Sequence, residues 1–514
     1  MLSSRSLHSR FCAGFAIAIL IASAGCGQAR ISYLDRLHPC TSSEAAVDAY
    51  CGTLSVFENR QEHSGRRISL NIVVLPAISS DVKADPLVFL AGGPGQGAAQ
   101  MAREIREGFR RIQRDRDIVL VDQRGTGKSH PLDCRDPQEH LRDALAPIDA
   151  ALARLRKCLD GYDADVRLYT TPIAMDDLDD VRAYLGYDRV NLYGGSYGTR
   201  AALVYMRQHG DRVRAAILDS VAPTDMRLPM YAARDAQRAL DKLLADCDAD
   251  TRCHAAYPDL SNQVRSLIHR LDEQPVHAHV VHPRTGIAED VDIRADTIAS
   301  VIFAALYSPA TGSVVPMLVD RAAHNDFQGL LALAVAGDSA ENMSVGMQLS
   351  VLCSEDAARF SEADYVRATA GTVFGQHLLA GQIKACGFWP RGAVDASYYE
   401  PVKSDVPTLV LSGDLDPVTP PEWGESVAQH LTHAMHVQVS GSGHGVIGTA
   451  CGRQLVQTFL DRGSVEGVDA SCAKTIRRPP FFLSPAGPDP GVTDKVSPAV
   501  RPLSGPPSDG KSSQ

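Results

Sequence analysis

The chain has 514 residues, 44% apolar and 22% charged. That is enough core-forming side chain for a large globular protein and excludes a wholly disordered or fibrous one. The formal charge of −10 offers no general basic surface that could displace counterions from a phosphate backbone, so nucleic acid is not an expected partner.

Arg5 and Arg10 precede an apolar run, Phe11 to Ala22, which the small residues Ser23, Ala24 and Gly25 follow. The run is too short to span a bilayer as a helix. A basic start, a short apolar middle and a small-residue exit predict an export signal over residues 1–25, and hence a secreted or periplasmic protein. Cys26 stands where a bacterial lipoprotein is cleaved and lipidated, although Ser23 replaces the usual Leu or Val. Membrane attachment through a lipidated Cys26 therefore stays open beside plain export.

From about residue 68, short β-branched runs alternate with helix-length stretches: Ile68 to Leu75, Leu87 to Leu90, Ile118 to Val121, Val190 to Tyr193 and Ala215 to Leu218. Strands that are apolar throughout and separated by helices imply a mostly parallel sheet covered on both faces, so the class is α/β. From 222 to 401 the strand signal thins, and amphipathic stretches (Ala233 to Cys247, Leu260 to Leu271, Ala295 to Leu306) predict an inserted helical cap. The rhythm returns over 402–475, with strands at Thr408 to Ser412 and Met435 to Val439, a helix near Glu422 to Leu431 and another after Gly452. The first part of the core is expected over 40–221. Residues 480–514, rich in proline, glycine and serine, predict a disordered tail.

Twelve cysteines are present. Setting aside Cys12 and Cys26 leaves Cys40, Cys51, Cys134, Cys158, Cys247, Cys253, Cys353, Cys386, Cys451 and Cys472, an even set that suits an oxidising compartment. None forms a Cys-x-x-Cys and none has zinc-finger spacing, so five disulfides are expected rather than a metal site. Spacing alone does not fix partners. Pairing of sequence neighbours, Cys40 with Cys51 and onward, is the working expectation.

The strand Val190 to Tyr193 leads into Gly194-Gly195-Ser196-Tyr197-Gly198, with Thr199 to Gln208 able to form a helix. This is the strand, Gly-x-Ser-x-Gly and helix of a nucleophile elbow, in which a strained turn exposes the serine hydroxyl. Serine is a poor nucleophile at neutral pH without a base, so a histidine oriented by a carboxylate must follow. Gly413-Asp414-Leu415-Asp416 follows one strand and Gly441-Ser442-Gly443-His444-Gly445 the next, giving the order Ser, Asp, His. Asp416 is preferred to Asp414 because the acid of such a loop sits three residues past the glycine. His444 is preferred to His430, His433 and His436 because a glycine-flanked loop lets its ring face both partners. Two N–H donors are needed for the oxyanion: Gly93, in the Gly-Gly-Pro-Gly after the Leu87 strand, and Tyr197 after the serine.

Three other motifs carry less. Gly93 to Ala98 matches a dinucleotide-binding Gly-x-Gly-x-x-Ala, but Pro94 removes a donor from the turn. Gly127-Lys128-Ser129 invites a phosphate-loop reading, but Asp122 occupies the leading glycine position. His277, His279 and His282 have the chemistry of metal ligands, though an exposed strand in the cap explains them, and no metal or other cofactor is expected.

Taken together, FLAGGPG at 89–95, VLVDQRGTGKS at 119–129, GGSYGTR at 194–200, GDLDPVTP at 413–420 and GSGHG at 441–445 resemble the bacterial α/β-hydrolase peptidases that include prolyl aminopeptidases and secreted tripeptidyl aminopeptidases. The resemblance covers roughly residues 40–475. It implies a serine exopeptidase acting on peptides with a free N-terminus, with Ser196, Asp416 and His444 as triad. Ala91 departs from it, since many relatives have His there. SVLCSED at 350–356 and CGFWP at 386–390 resemble the tripeptidyl branch, which implies a Cys353–Cys386 bridge and favours tripeptide release over release of a single proline. Burying a substrate's ammonium is costly, and a nearby carboxylate would offset the cost. Glu355 is the candidate, an ordinary acid at a helix N-terminus being the alternative. A carboxylesterase or lipase with the same triad is the second functional reading. A binding protein on a hydrolase scaffold is the third, and a complete triad argues against it.

Overall fold

The computed structural model describes residues 32–41, 48–134, 145–336 and 343–488. The expected export signal, Cys26 and the tail from residue 489 lie outside the described residues. The strands are β1 (His38–Thr41), β2 (Asp48–Phe57), β3 (Arg67–Leu75), β4 (Leu87–Leu90), β5 (Ile118–Val121), β6 (Val190–Gly195), β7 (Val213–Asp219), β8 (Val276–Val281), β9 (Ala288–Ile293), β10 (Thr408–Gly413) and β11 (Ala434–Val439). Nine of them form one sheet in the order β1-β2-β3-β5-β4-β6-β7-β10-β11. From β5 to β11 all neighbours are parallel, and β1, β2 and β3 add an antiparallel edge.

The parallel centre is covered on both sides, and every residue of β4 and β5 is buried. Successive side chains enter opposite cores. Val88, Leu90, Val119, Leu192, Leu218 and Val410 meet helices Thr171–Leu185 and Tyr197–His209, whereas Leu87, Phe89, Leu120, Tyr193, Ile217 and Leu411 meet helix Ala450–Arg462. A one-residue slip would exchange the two sets, and each side chain gains about 1.5–3 kcal/mol from burial, so register is strongly specified. Helix limits are written locally. Pro172 lies in the first turn of Thr171–Leu185 and Gly186, at φ 83, ends it. The Thr449 hydroxyl accepts the Gly452 N–H at 2.9 Å to start Ala450–Arg462.

Between β7 and β10 the described chain adds no strand to this sheet. Helices Leu228–Ala249, Leu260–Glu273 and Ala295–Leu306 occupy the stretches whose periodicity predicted them. They share a core that includes Leu240, Leu243, Val264, Leu267, Ile298 and Ile302. The helical insertion also holds an antiparallel hairpin, β8 with β9. The expectation of disorder from residue 480 is corrected at its start. Phe481 is buried against these helices and the Phe482 N–H donates to the Ser313 carbonyl at 3.0 Å, because an apolar Phe481-Phe482-Leu483 precedes the prolines. Five disulfides join sequence neighbours: Cys40–Cys51, Cys134–Cys158, Cys247–Cys253, Cys353–Cys386 and Cys451–Cys472.

Candidate active site

β6 ends at Gly195 and the next helix starts at Tyr197, so Ser196 alone makes the turn, at φ 57 and ψ −126. A positive φ is costly for a serine and persists only where the surroundings enforce it. They do so here by close approach. A Cβ on Gly194 would lie 2.3 Å from the Gly198 carbonyl oxygen, and one on Gly198 would lie 2.1 Å from that of Leu90. Only glycine at both places lets β6, its helix and the end of β4 meet behind Ser196.

The loop after β10 carries Asp416 and the loop after β11 carries His444. Asp416 is fully buried. Its Oδ1 accepts the N–H groups of Val418 at 2.8 Å and Thr419 at 2.9 Å, and its Oδ2 accepts the Thr419 hydroxyl at 2.9 Å. Oδ2 also lies 2.8 Å from Nδ1 of His444. Asp414 faces elsewhere, accepting the Gly441 N–H at 2.9 Å. Burial opposes the Asp416 charge, but His444 and the surrounding donors hold its pKa below the ordinary carboxylate value. Burial also opposes an imidazolium at His444, and there the Asp416 carboxylate prevails and raises the pKa. The other three histidines stay apart from this pair. His436 lies 3.0 Å from the Ser412 hydroxyl on the strands, and burial lowers its pKa, while His430 and His433 are exposed.

Sequence reading missed the residue that ties these loops together. The Asp219 carbonyl accepts the Ser196 N–H at 2.9 Å. Its fully buried carboxylate accepts the N–H groups of Val446 and Ile447, both at 2.8 Å, and the Tyr193 hydroxyl at 2.7 Å. Beside it the Ser220 hydroxyl accepts the Gly445 N–H at 2.8 Å. The available signal was position: Asp219 directly follows the predicted strand Ala215 to Leu218, and functional loops of open α/β sheets gather at the carboxyl ends of their strands. Tyr307 was missed as well. Its carbonyl accepts the His444 N–H at 2.8 Å and its ring meets the imidazole edge-on, centroids 5.0 Å apart.

The Gly92-Gly93-Pro94-Gly95 turn comes against the elbow, since a Cβ on Gly92 would sit 3.3 Å from Cβ of Ser196. Gly93 has φ +109, and a side chain there would press on Gly95 N at 2.7 Å and the Met343 sulfur at 2.9 Å. Tyr197 heads the helix on the other side of Ser196, its ring buried. Ala91 is buried among apolar side chains. This turn is anchored by the Ser344 N–H, which donates to the Gly95 carbonyl at 2.9 Å.

Glu355 does not face an open cleft as an ammonium receptor would. It is fully buried, and its carboxylate accepts the Thr171 N–H at 2.6 Å, the Thr171 hydroxyl at 2.9 Å and the Tyr398 hydroxyl. The phosphate-loop look-alike folds round Asp122, whose carboxylate accepts the Lys128 N–H at 3.0 Å and leaves no room for a Cβ on Gly127. His277 and His279 pair across the hairpin with Asp292 and Asp290, each at 2.9 Å, while Nδ1 of His282 accepts the Arg284 N–H at 3.2 Å. Among the described residues no three His, Cys, Asp or Glu side chains are grouped to hold a metal ion.

Residues 85–253 match the family model described as alpha/beta hydrolase fold, and residues 371–472 the one described as TAP-like protein. Over 475 residues the chain is 28% identical to the serine protease Hip1 of Mycobacterium tuberculosis, covering 84% of this chain and 90% of that protein. It is 25% identical over 454 residues to the tripeptidyl aminopeptidase of Streptomyces coelicolor, covering 82% and 83% of the two chains. A shorter match of 136 residues, 30% identical, links it to the proline iminopeptidase of Neisseria gonorrhoeae, covering 26% of this chain and 32% of that one. With the parallel sheet and its antiparallel edge, these likenesses show a serine hydrolase of the α/β-hydrolase fold, similar over most of its length to bacterial serine peptidases.

Proposed function

We propose that this protein is an exported exopeptidase that releases short peptides, tripeptides foremost, from substrates with a free N-terminus. Ser196 attacks the scissile carbonyl. His444 takes the serine proton and then delivers it to the leaving amine, while Asp416 holds the ring and stabilises its charged form. The Gly93 and Tyr197 amides receive the oxyanion, and water resolves the acyl-enzyme by the same route.

The observation that carries this reading is the double hold of Asp219, whose carbonyl fixes Ser196 and whose carboxylate fixes the residues after His444. Nucleophile and base loops are thereby set by one rigid strand end. Tripeptides are favoured over single proline because the relative named a tripeptidyl aminopeptidase aligns with 82% of the chain and the proline iminopeptidase with 26%. Export is supported by the leader-like residues 1–25 and by five disulfides. No described helix is long and apolar enough to cross a membrane.

A fluorophosphonate probe tests the nucleophile. Wild-type protein is expected to label with one equivalent at Ser196, and folded Ser196→Ala and His444→Ala to label negligibly. Labelling that persists in folded Ser196→Ala would place the nucleophile elsewhere.

A further inference from the structure

The helix Val345–Val351 continues into a wide π-helical turn, Leu352–Asp356, a form of backbone that recurs at functional sites. The two ends of this segment reach the two sides of the elbow. At its start, the Ser344 N–H holds the Gly95 carbonyl at 2.9 Å and Met343 pairs with Gln96, so the Gly93 turn is gripped from outside the sheet. At its end, Glu355 grips Thr171 twice, by main chain and hydroxyl. Thr171 Oγ1 in turn lies 2.7 Å from the Tyr197 hydroxyl. The Thr171 hydroxyl donates its single proton to Glu355, so the Thr171 oxygen receives the proton of Tyr197. All three residues are enclosed, where such a chain of hydrogen bonds is strong and its breakage costly.

The charges facing Glu355 are those of Arg200 and Asp356. The guanidinium of Arg200, one helical turn after Tyr197, lies 2.9 Å from Asp356 and 3.8 Å from Glu355. Tyr398 donates to Glu355 from the opposite side. The helix that begins at Tyr197 is thus held at its first turn by two side-chain links to one π-turn, and Cys353 within that turn is bridged to Cys386.

We infer that the segment 343–356 is a brace for the oxyanion hole, and that Glu355 is a positioning residue that sets the Tyr197 amide through Thr171 rather than a receptor for the substrate's ammonium. The inference rests on the reading of Gly93 and Tyr197 as the oxyanion donors.

The test measures kcat and KM for Glu355→Gln, Thr171→Val and Tyr197→Phe on two substrates: a free-amine tripeptide anilide, and p-nitrophenyl acetate, which has no ammonium. A misplaced oxyanion donor slows both alike. The expected loss in kcat is about tenfold to a hundredfold, somewhat less than outright removal of such a donor, with KM changed less than about threefold and Thr171→Ser recovering most of the rate lost in Thr171→Val. If Glu355→Gln does not fold, the other two variants decide, since each removes one hydroxyl and nearly keeps the side chain's shape. A Glu355→Gln effect confined to KM for the free-amine peptide, or unchanged kcat in the folded variants, would overturn the brace. Failure of the underlying reading is seen separately, as wild-type turnover that survives in Ser196→Ala.

Discussion

The carbonyl of Asp219 holds the N–H of Ser196 at 2.9 Å, so a residue outside the proposed triad fixes where the nucleophile stands. Its carboxylate fixes the loop that follows His444. Burial pushes the pKa of this carboxyl group up, but the donors around it favour the charge. Asp219→Asn keeps the shape and replaces one accepting oxygen with an NH2 group facing main-chain N–H. A loss of about 1–3 kcal/mol is expected, the cost of a buried donor left unmatched, together with a fall in kcat. Urea unfolding checks the first, and an unchanged midpoint would contradict it.

The Asp416–His444 pair predicts a pH profile. His444 must be neutral to act as a base, and its pKa lies above the ordinary 6.5 because the Asp416 attraction outweighs burial. The acid limb of kcat/KM in the free enzyme should therefore fall above 6.5. Asp416→Asn removes that attraction, so the limb should move down while kcat drops by about 10⁴. Stability follows the same signs. The raised His444 contributes most below 6.5 and loses its contribution as pH rises through its folded value, whereas the lowered Asp416 contributes above 3.8 and loses it as pH falls through its own. An acid limb that stays in place in Asp416→Asn would show that another group controls it.

Two neighbouring glycines should behave differently. Gly198→Ala puts a methyl group 2.1 Å from the Leu90 carbonyl oxygen, where only backbone could yield, so a loss of more than about 3 kcal/mol or failure to fold is expected. Gly195→Ala meets nothing nearer than a Tyr193 ring carbon at 3.6 Å, and should cost no more than about 1 kcal/mol. Thermal unfolding of the two proteins measures the contrast.

The Cys353–Cys386 bridge joins residues 33 apart. Replacing both with alanine should cost about 4 kcal/mol by loop entropy. If the bridged segment sets the oxyanion donors, kcat should fall at temperatures where the protein remains folded. Equal kcat in a folded, less stable double variant would assign the bridge to stability alone.

The central strands and the elbow were legible because burial on both faces writes unbroken apolar runs, and because a tight turn beneath a nucleophile demands glycine at fixed places. β1 and β2 were not, since an antiparallel edge mixes polar and apolar residues: Asp48–Phe57 is buried at only two of its ten positions. Of the β8–β9 hairpin only the first strand was legible, as the exposed cap strand that explains His277 and His279, while its partner Ala288–Ile293 is too polar to stand out. Asp416 and His444 announced themselves through loop glycines and strand ends. Asp219 and Thr171 act through partners more than twenty residues away in the chain, and hydrogen bonds of that reach leave no local pattern to read. Glu355 was singled out as an acid in the SVLCSED segment at 350–356, but its enclosure came from packing that spacing does not report.

The most direct measurement compares a free-amine tripeptide anilide with its N-acetylated twin, using wild-type protein and Ser196→Ala. Cleavage of the free-amine form alone, abolished in Ser196→Ala, is the expected result for an N-terminal exopeptidase. Cleavage of neither anilide by a wild-type protein that still hydrolyses simple esters would contradict the account and identify an esterase.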